Sequence, residues 1–261
     1  MSFETIRFSV VDNVARIVLD RPEVGNAVNM TMSTELLTAA RACRDDNRIR
    51  AVLLSSGGPI FCAGGDLAYI ESLGDEVAAG VKAMADIFHQ AVMIFSSMDA
   101  PVVTAVHGMA AGGGVALALM SSIAVASEKA RFVAAYSSVG LSPDGSLTFF
   151  LPRHVGLRVA EELILSNRTI EATEAQSLGM INEVVDHDTL FNHTLGIASR
   201  LASGPTRAYG AARRLLLQSM HSSIQEQLGH ETDSVITMLE TADSKQAIAA
   251  ILRKQKPRFR G

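Results

Sequence analysis

The sequence predicts an α/β fold over 1–204 and a helical C-terminal region over 205–261. Three observations predict it. Short apolar or alternating runs are followed repeatedly by segments of helical spacing through the first half, the pattern of strands covered by helices. Beyond Asp144 almost every segment has helical spacing. Gly204-Pro205 then punctuates the chain between two of those helical segments. With 261 residues, 48% of them hydrophobic and 19% charged, the chain can bury a sizeable core and is not disordered by composition.

The elements follow in order. "TIRFSVV" and "VARIVLD" flank Asp12-Asn13 and read as a β-hairpin that ends at Arg21-Pro22. "TMSTELLTAARACRDD" has helical spacing, with Thr31 or Ser33 as its start signal. "IRAVLLSS" is a short buried strand closed by Gly57-Gly58-Pro59, and "IFCAGGDLAYI" follows as a loop. "DEVAAGVKAMADIFHQAVMIFSSM" is a long helix. "APVVTAVHG" is a strand running into a glycine-rich turn, after which "GGGVALALM" opens another helix. "SIAVAS" and "ARFVAA" are short strands. Helical spacing then covers 146–154, 157–166, 172–178, 188–203, 206–219 and 222–253, with "INEVVD" the one strand-like exception.

Composition excludes several functions. The formal net charge is −4, and only the tail "LRKQKPRFRG" is locally basic, so a nucleic-acid partner is not expected. Cys43 and Cys62 make neither a disulfide framework nor a metal-binding spacing, and no metal site is expected. The start "MSFETIRFSVVDN" lacks the basic-then-apolar order of a secretory signal, and no uninterrupted apolar run is long enough for a membrane span. A reduced, cytoplasmic protein without a membrane partner is the expectation.

Two glycine loops and one aspartate carry the chemistry. In "FCAGGDL" a strand gives way to Ala63-Gly64-Gly65-Asp66, and in "HGMAAGGGVAL" another gives way to Gly112-Gly113-Gly114. Glycines permit unusual dihedrals and close approach of backbone to a ligand. A helix opening after such a turn leaves its first N–H groups free. Two such loops facing one point would make an oxyanion hole; either loop alone is also explained by tight strand-to-helix packing. "AGGG" lacks the spacing of a dinucleotide fingerprint. In "VGLSPDGSLTFF", Asp144 reads either as the cap of a helix beginning near Gly145 or as a carboxylate on the floor of an active site.

"LDRPEVGNAVN", "FCAGGDL", "APVVTAVHGMAAGGGVALAL" and "LPRHVGLRVAEELILSNRTIEATEAQSLGMINEVV" occur in that order, and the chain closes on "KPRFRG". Together they resemble the crotonase superfamily, the enoyl-CoA hydratase/isomerase family, over nearly the whole chain. The resemblance implies a spiral of repeated ββα units with a helical C-terminal trimerisation region, and a homotrimer or a hexamer made of two trimers. It implies an acyl-CoA thioester substrate and no cofactor beyond the coenzyme A moiety of that substrate. By motif position, the N–H groups of Gly65 and Gly113 would polarise the thioester carbonyl. The two glutamates of resembling hydratases fall here on Ala116 and Tyr136, so ordinary hydration is disfavoured, because water addition needs groups to activate water and protonate carbon.

Asp144 matches a carboxylate of other branches of the family. The context "GLSPDGSLTFFLPR" is similar to that of delta-3/delta-2 enoyl-CoA isomerases and ring-epoxide phenylacetyl-CoA isomerases, departing mainly at Ser146. The implied reaction is a proton shift, with Asp144 taking a proton from the α carbon and returning it at the γ carbon. Burial against Leu141, Leu147 and Phe150 is expected to make the carboxylate a stronger base. A rival is 4-chlorobenzoyl-CoA dehalogenase-like chemistry, in which the aspartate is a nucleophile, His89 takes the place of a catalytic histidine and Tyr136 that of a supporting tryptophan. Thioesterase chemistry and a non-catalytic acyl-CoA binder are the further alternatives. Arg21, Ala63, Lys254 and Lys256 are the candidate contacts to coenzyme A, and Asp66 is expected to cap a helix.

Overall fold

The computed structural model describes residues 3–261. Strands β1 (Ile6–Val11) and β2 (Val14–Leu19) form the predicted antiparallel hairpin. Its turn residues Asp12 and Asn13 lie at φ 50° and 65°, the left-handed pair that a two-residue hairpin turn requires. Helix α1 (Met30–Asp45) starts earlier than expected. Its cap is Asn29 rather than Thr31 or Ser33, because the Asn29 carboxamide oxygen accepts the Met32 N–H at 2.9 Å.

β3 (Ala51–Ser56) lies parallel to β2. The stretch after it, expected as a loop, also contains a short helix, α2 (Leu67–Ser72). At under two turns, α2 is too short to show a period. Then come α3 (Val77–Ser97), β4 (Val102–Val106), β5 (Met109–Ala111), α4 (Gly113–Leu119), β6 (Ile123–Ser127) and β7 (Arg131–Val133). The more helical part holds α5 (Leu147–Val155), α6 (Leu157–Ser166), β8 (Ile170–Glu171), α7 (Ala172–Ser177), β9 (Glu183–Val185) and α8 (Leu190–Ala202). The C-terminal helices are α9 (Thr206–Ser219), α10 (Ile224–Leu239) and α11 (Ala242–Leu252). The single helix expected over 222–253 is therefore two. Thr241 adopts an extended conformation and its hydroxyl caps α11 by accepting the Ser244 N–H at 3.2 Å.

The strands divide between two sheets. The larger has the order β1-β2-β3-β4-β6-β9, and the smaller β5-β7-β8. β4 goes to the large sheet and β5 to the small one; β6 and β7 repeat the step, so the chain coils as a spiral of ββα turns. β3 is buried on both faces, and its side chains alternate between two cores. Val52 and Leu54 join the core under α1 and α3, whereas Ala51 and Leu53 pack with Val103, Val125 and the α8 residues Leu190, Ile197 and Ala198.

α3, with the turn before it (Gly74–Ser97, mean hydropathy 1.3), is the one helix among the described residues long and apolar enough to cross a membrane by length and composition. It packs along α1 instead, with the Lys82–Asp86 pair at 2.6 Å facing outward. Its C-terminus is clamped from α9: the Arg213 guanidinium donates to the carbonyls of Phe95, Ser96 and Met98 at 2.9–3.0 Å. Burial pulls the Arg213 guanidinium down to about 10. The tail is fastened too, because Arg50 donates to the Gly204 and Phe259 carbonyls at 2.6 and 2.9 Å.

Candidate active site

The site begins with a strand register. Cys62 and Ala110 form a parallel bridge, in which the Cys62 N–H donates to the Met109 carbonyl at 3.1 Å and the Ala111 N–H to the Cys62 carbonyl at 2.9 Å. Both loops run on in parallel from that bridge, so Gly65 and Gly113, each three residues further, arrive side by side. A Cβ placed on Gly113 would lie 3.8 Å from the Gly64 Cα.

The direction of the two N–H groups follows from pairing. Gly65 bridges to Val28 through its neighbours: the Val28 N–H donates to the Gly64 carbonyl at 2.7 Å and the Asp66 N–H to the Val28 carbonyl at 2.9 Å. In a parallel bridge of this form the central residue turns its own N–H away from the partner. Gly113 is the first residue of α4, where N–H groups have no intrahelical acceptor. Among the described residues, neither N–H donates to a protein acceptor. The packing role expected for the glycines is also present, at a different position. A Cβ on Gly114 would come within 2.4 Å of the Cys62 carbonyl oxygen. Gly114→Ala would gain about 1 kcal/mol of helix propensity, but the clash is expected to outweigh it, with a net loss of about 1–3 kcal/mol in urea denaturation. Gly113→Ala meets no such contact and is expected to fold normally.

These loops open into a cleft of about 390 Å³. α3 lines it with Val81, Met84, Ala85 and Phe88, a stripe at helical spacing, and α2 adds Leu67 and Ile70. Tyr136 and Asp144 come from the segment between β7 and α5. Sequence reading missed the α2 and α3 walls. The α3 stripe was legible as an apolar helix face, but such a face looks the same whether it meets a core or a ligand.

The Asp144 carboxylate faces α3, where its Oδ1 lies 2.7 Å from His89 Nε2. Two expectations fail here. Asp144 does not cap α5: the helix is entered through Ser146, without a side-chain cap, and only the main-chain carbonyl of Asp144 accepts from Leu147, at 3.2 Å. Nor is the carboxylate buried. Its side chain is 51% exposed, because Leu147 and Phe150 turn into the core while Leu141 stays at the surface. Tyr136 donates its hydroxyl to the main-chain carbonyl of Asp144 at 3.1 Å rather than to the carboxylate. Burial, and then the charge of Asp144, hold the Tyr136 phenol above its ordinary range, so it serves as a neutral donor.

Ser146 sits in the left-handed region at φ 80°, and its hydroxyl is buried without a partner among the described residues. Ser146→Gly is expected to stabilise the fold by about 1 kcal/mol. It removes left-handed strain of about 1–2 kcal/mol and the orphaned hydroxyl, against roughly 0.5–1 kcal/mol of added unfolded-chain entropy. Thermal and urea melting check this.

Of the two hydratase-glutamate positions, Ala116 is fully buried, packed under Gly145 and Phe88: a Cβ on Gly145 would stand 3.5 Å from the Ala116 Cβ and 3.0 Å from the Phe88 ring. Tyr136 occupies the other and lines the cleft.

The expected coenzyme A contacts fare differently. Ala63 lines the cleft, its N–H held by the Gly25 carbonyl at 2.9 Å. Arg21 is largely buried and occupied, donating to Asp66 Oδ2 at 2.9 Å and the Ala27 carbonyl at 2.7 Å. It braces the first glycine loop instead of presenting a free cation. Asp66 caps α2 through the Tyr69 N–H at 3.0 Å. Burial alone would raise its carboxyl, but the Tyr69 N–H and Arg21 together hold it below the usual range. Lys254 and Lys256 are exposed residues after α11, and Lys256 lines a separate depression with Arg50 and Arg258. Every residue lining the cleft falls between Val28 and Gly145, so neither lysine is part of its wall.

Two free N–H groups set beside a cleft that holds a carboxylate can polarise a carbonyl and move a proton on the carbon next to it. A family model described as enoyl-CoA hydratase/isomerase matches residues 10–261. A Rhodobacter capsulatus protein named "Probable enoyl-CoA hydratase" is 34% identical over 264 residues, covering 100% of both chains. The 1,2-epoxyphenylacetyl-CoA isomerase of Escherichia coli is 33% identical, with 99% of each chain covered. A solved structure described as an enoyl-CoA hydratase/isomerase from Mycobacterium abscessus superimposes with a TM-score of 0.91 at 36% identity, covering 97% of this chain and 98% of its own. The chain belongs to the enoyl-CoA hydratase/isomerase family, with the crotonase fold and the acyl-CoA chemistry that define it.

Proposed function

We propose that the protein is an acyl-CoA isomerase, either moving a double bond from the β–γ to the α–β position of an enoyl-CoA thioester or isomerising a ring-epoxide acyl-CoA. One observation carries this reading: the cleft holds a carboxylate at Asp144 and has none at either hydratase position, where Ala116 is sealed and Tyr136 is a neutral phenol. Gly65 and Gly113 bind the thioester oxygen and stabilise the enolate. Asp144 removes the α proton, and the dienolate is reprotonated at the γ carbon. The substrate's own coenzyme A moiety is the only cofactor this chemistry needs.

The test is a purified-protein assay with a 3-enoyl-CoA, following the absorbance of the conjugated 2-enoyl thioester and, in parallel, free coenzyme A. Conjugation without thiol release supports the reading. Hydrated product, or thiol release without conjugation, overturns it in favour of a hydratase or a thioesterase. The 2.7 Å contact between His89 and Asp144 favours one second reading, aryl substitution of the 4-chlorobenzoyl-CoA dehalogenase type. There Asp144 would attack the ring, chloride would leave, and His89 would activate the water that hydrolyses the aryl ester. Chloride release from 4-chlorobenzoyl-CoA decides it.

We further propose that the working form is a homotrimer, or a hexamer of two trimers, in the cytoplasm, serving fatty or aromatic acid metabolism. Ile224, Leu228, Val235, Ile236 and Leu239 of α10 are exposed apolar residues in the single chain, a surface suited to burial against other copies.

A further inference from the structure

A histidine outside the cleft lining contacts the cleft's carboxylate, and its placement deepens the isomerase reading on which this inference rests. His89 lies one residue beyond Phe88 on α3, a helix held along α1 and clamped at its C-terminus by Arg213. Its Nε2 stands 2.7 Å from Asp144 Oδ1, and among the described residues it is the one side chain hydrogen-bonded to that carboxylate. Tyr136, which also lines the cleft, spends its hydroxyl on the main-chain carbonyl. Both members of the pair meet solvent: the side chains of His89 and Asp144 are 40% and 51% exposed.

We propose that His89 is a proton relay that connects Asp144 to water, so that the proton delivered to the γ carbon comes from solvent and not from the α carbon. A lone carboxylate shielded from water would carry the same proton from one carbon to the other. Here the abstracted proton has somewhere to go. The Cα–H bond breaks, its electron pair passes into the dienolate, and an Asp144 O–H bond forms. The α proton goes to Asp144 Oδ2, because with Asp144 ionised the Oδ1 contact is already filled by the Nε2–H of a neutral His89. Oδ2 then releases that proton to water, Nε2 passes its own proton to Oδ1, and Nδ1 takes one from water, which leaves both side chains neutral. The Oδ1 proton goes to the γ carbon, where the dienolate electron pair forms the Cγ–H bond, and exchange with water returns the His89 ring proton to Nε2. Charge and atoms balance, and no oxidant or further reactant is involved.

The experiment uses the full-length protein in ordinary water with a 3-enoyl-CoA deuterated at C2, and mass spectrometry and NMR of the 2-enoyl product. Wild type is expected to place almost no deuterium at C4. His89→Gln keeps a hydrogen-bonding group near Asp144 but cannot carry a proton, and is expected to raise the deuterium at C4 several-fold, even where its overall rate falls. A histidine that only packs against Asp144 would change the rate and leave this partition alone. Wild-type transfer of most of the label to C4 overturns the relay while leaving the isomerase reading intact. So does equal loss of label from wild type and His89→Gln. If wild type shifts no double bond, the isomerase reading itself fails and the relay falls with it.

Discussion

Asp144→Asn should slow double-bond migration at least about a hundredfold, the usual scale for removing a positioned proton carrier. The substitution keeps the size and shape of the side chain and deletes its basicity. The loop should survive it, because the carboxylate holds no helix cap: the main-chain oxygen of Asp144 accepts from Leu147 at the start of α5, and Tyr136 fastens that same carbonyl. Thioester affinity should change little, since the oxyanion donors are main-chain groups on other loops. The discriminating measurement is kcat for 3-enoyl-CoA conversion beside product-analogue binding. A variant that binds normally and turns over at the wild-type rate would sink the assignment of Asp144. A variant that loses both binding and thermal stability would show that the carboxylate is structural.

Gly113→Pro should cost about 10²–10³ in kcat, the loss associated with removing one oxyanion-hole donor. Proline deletes the N–H and is favoured at the first position of a helix, where that N–H bonds to nothing in the helix. Gly113 is the first residue of α4, so the helix is expected to persist. Gly113→Ala is the control, because it adds a methyl group that meets only the Gly64 Cα at 3.8 Å and leaves the donor in place. If the alanine variant is as slow as the proline variant, crowding of the cleft explains both and the donor role is lost. If the proline variant keeps its kcat and only KM rises, Gly113 contributes to binding without stabilising the enolate.

Much of the fold was legible because the long elements have a period. The hairpin, β3, α3 and the longer helices between Asp144 and Ser219 each present several turns or alternations, and they appear within one or two residues of their expected bounds. What failed was short or broken. α2, β5 and β8 are too short for a pattern to rise above chance, and the 222–253 helix is split by a threonine whose capping role depends on its backbone conformation. The reading of Asp144 as a cap failed because the residue type suits both uses and the loop conformation chooses between them.

The sequence by itself determined the α/β class, the family and the composition of the site: two glycine loops, an aspartate at position 144, and no glutamate at Ala116 or Tyr136. These are properties of residue types at fixed spacings, which the chain carries whether folded or not. Only the tertiary structure decided what those residues face. The Cys62–Ala110 register sets Gly65 beside Gly113. The packing of α3 brings His89 to Asp144 across 55 residues of chain and leaves both in reach of water. The approach of the first glycine loop to the end of β2 turns Arg21 inward onto Asp66. Contacts between distant segments are set by how sheets and helices pack, and a single sequence carries no local signal of that packing.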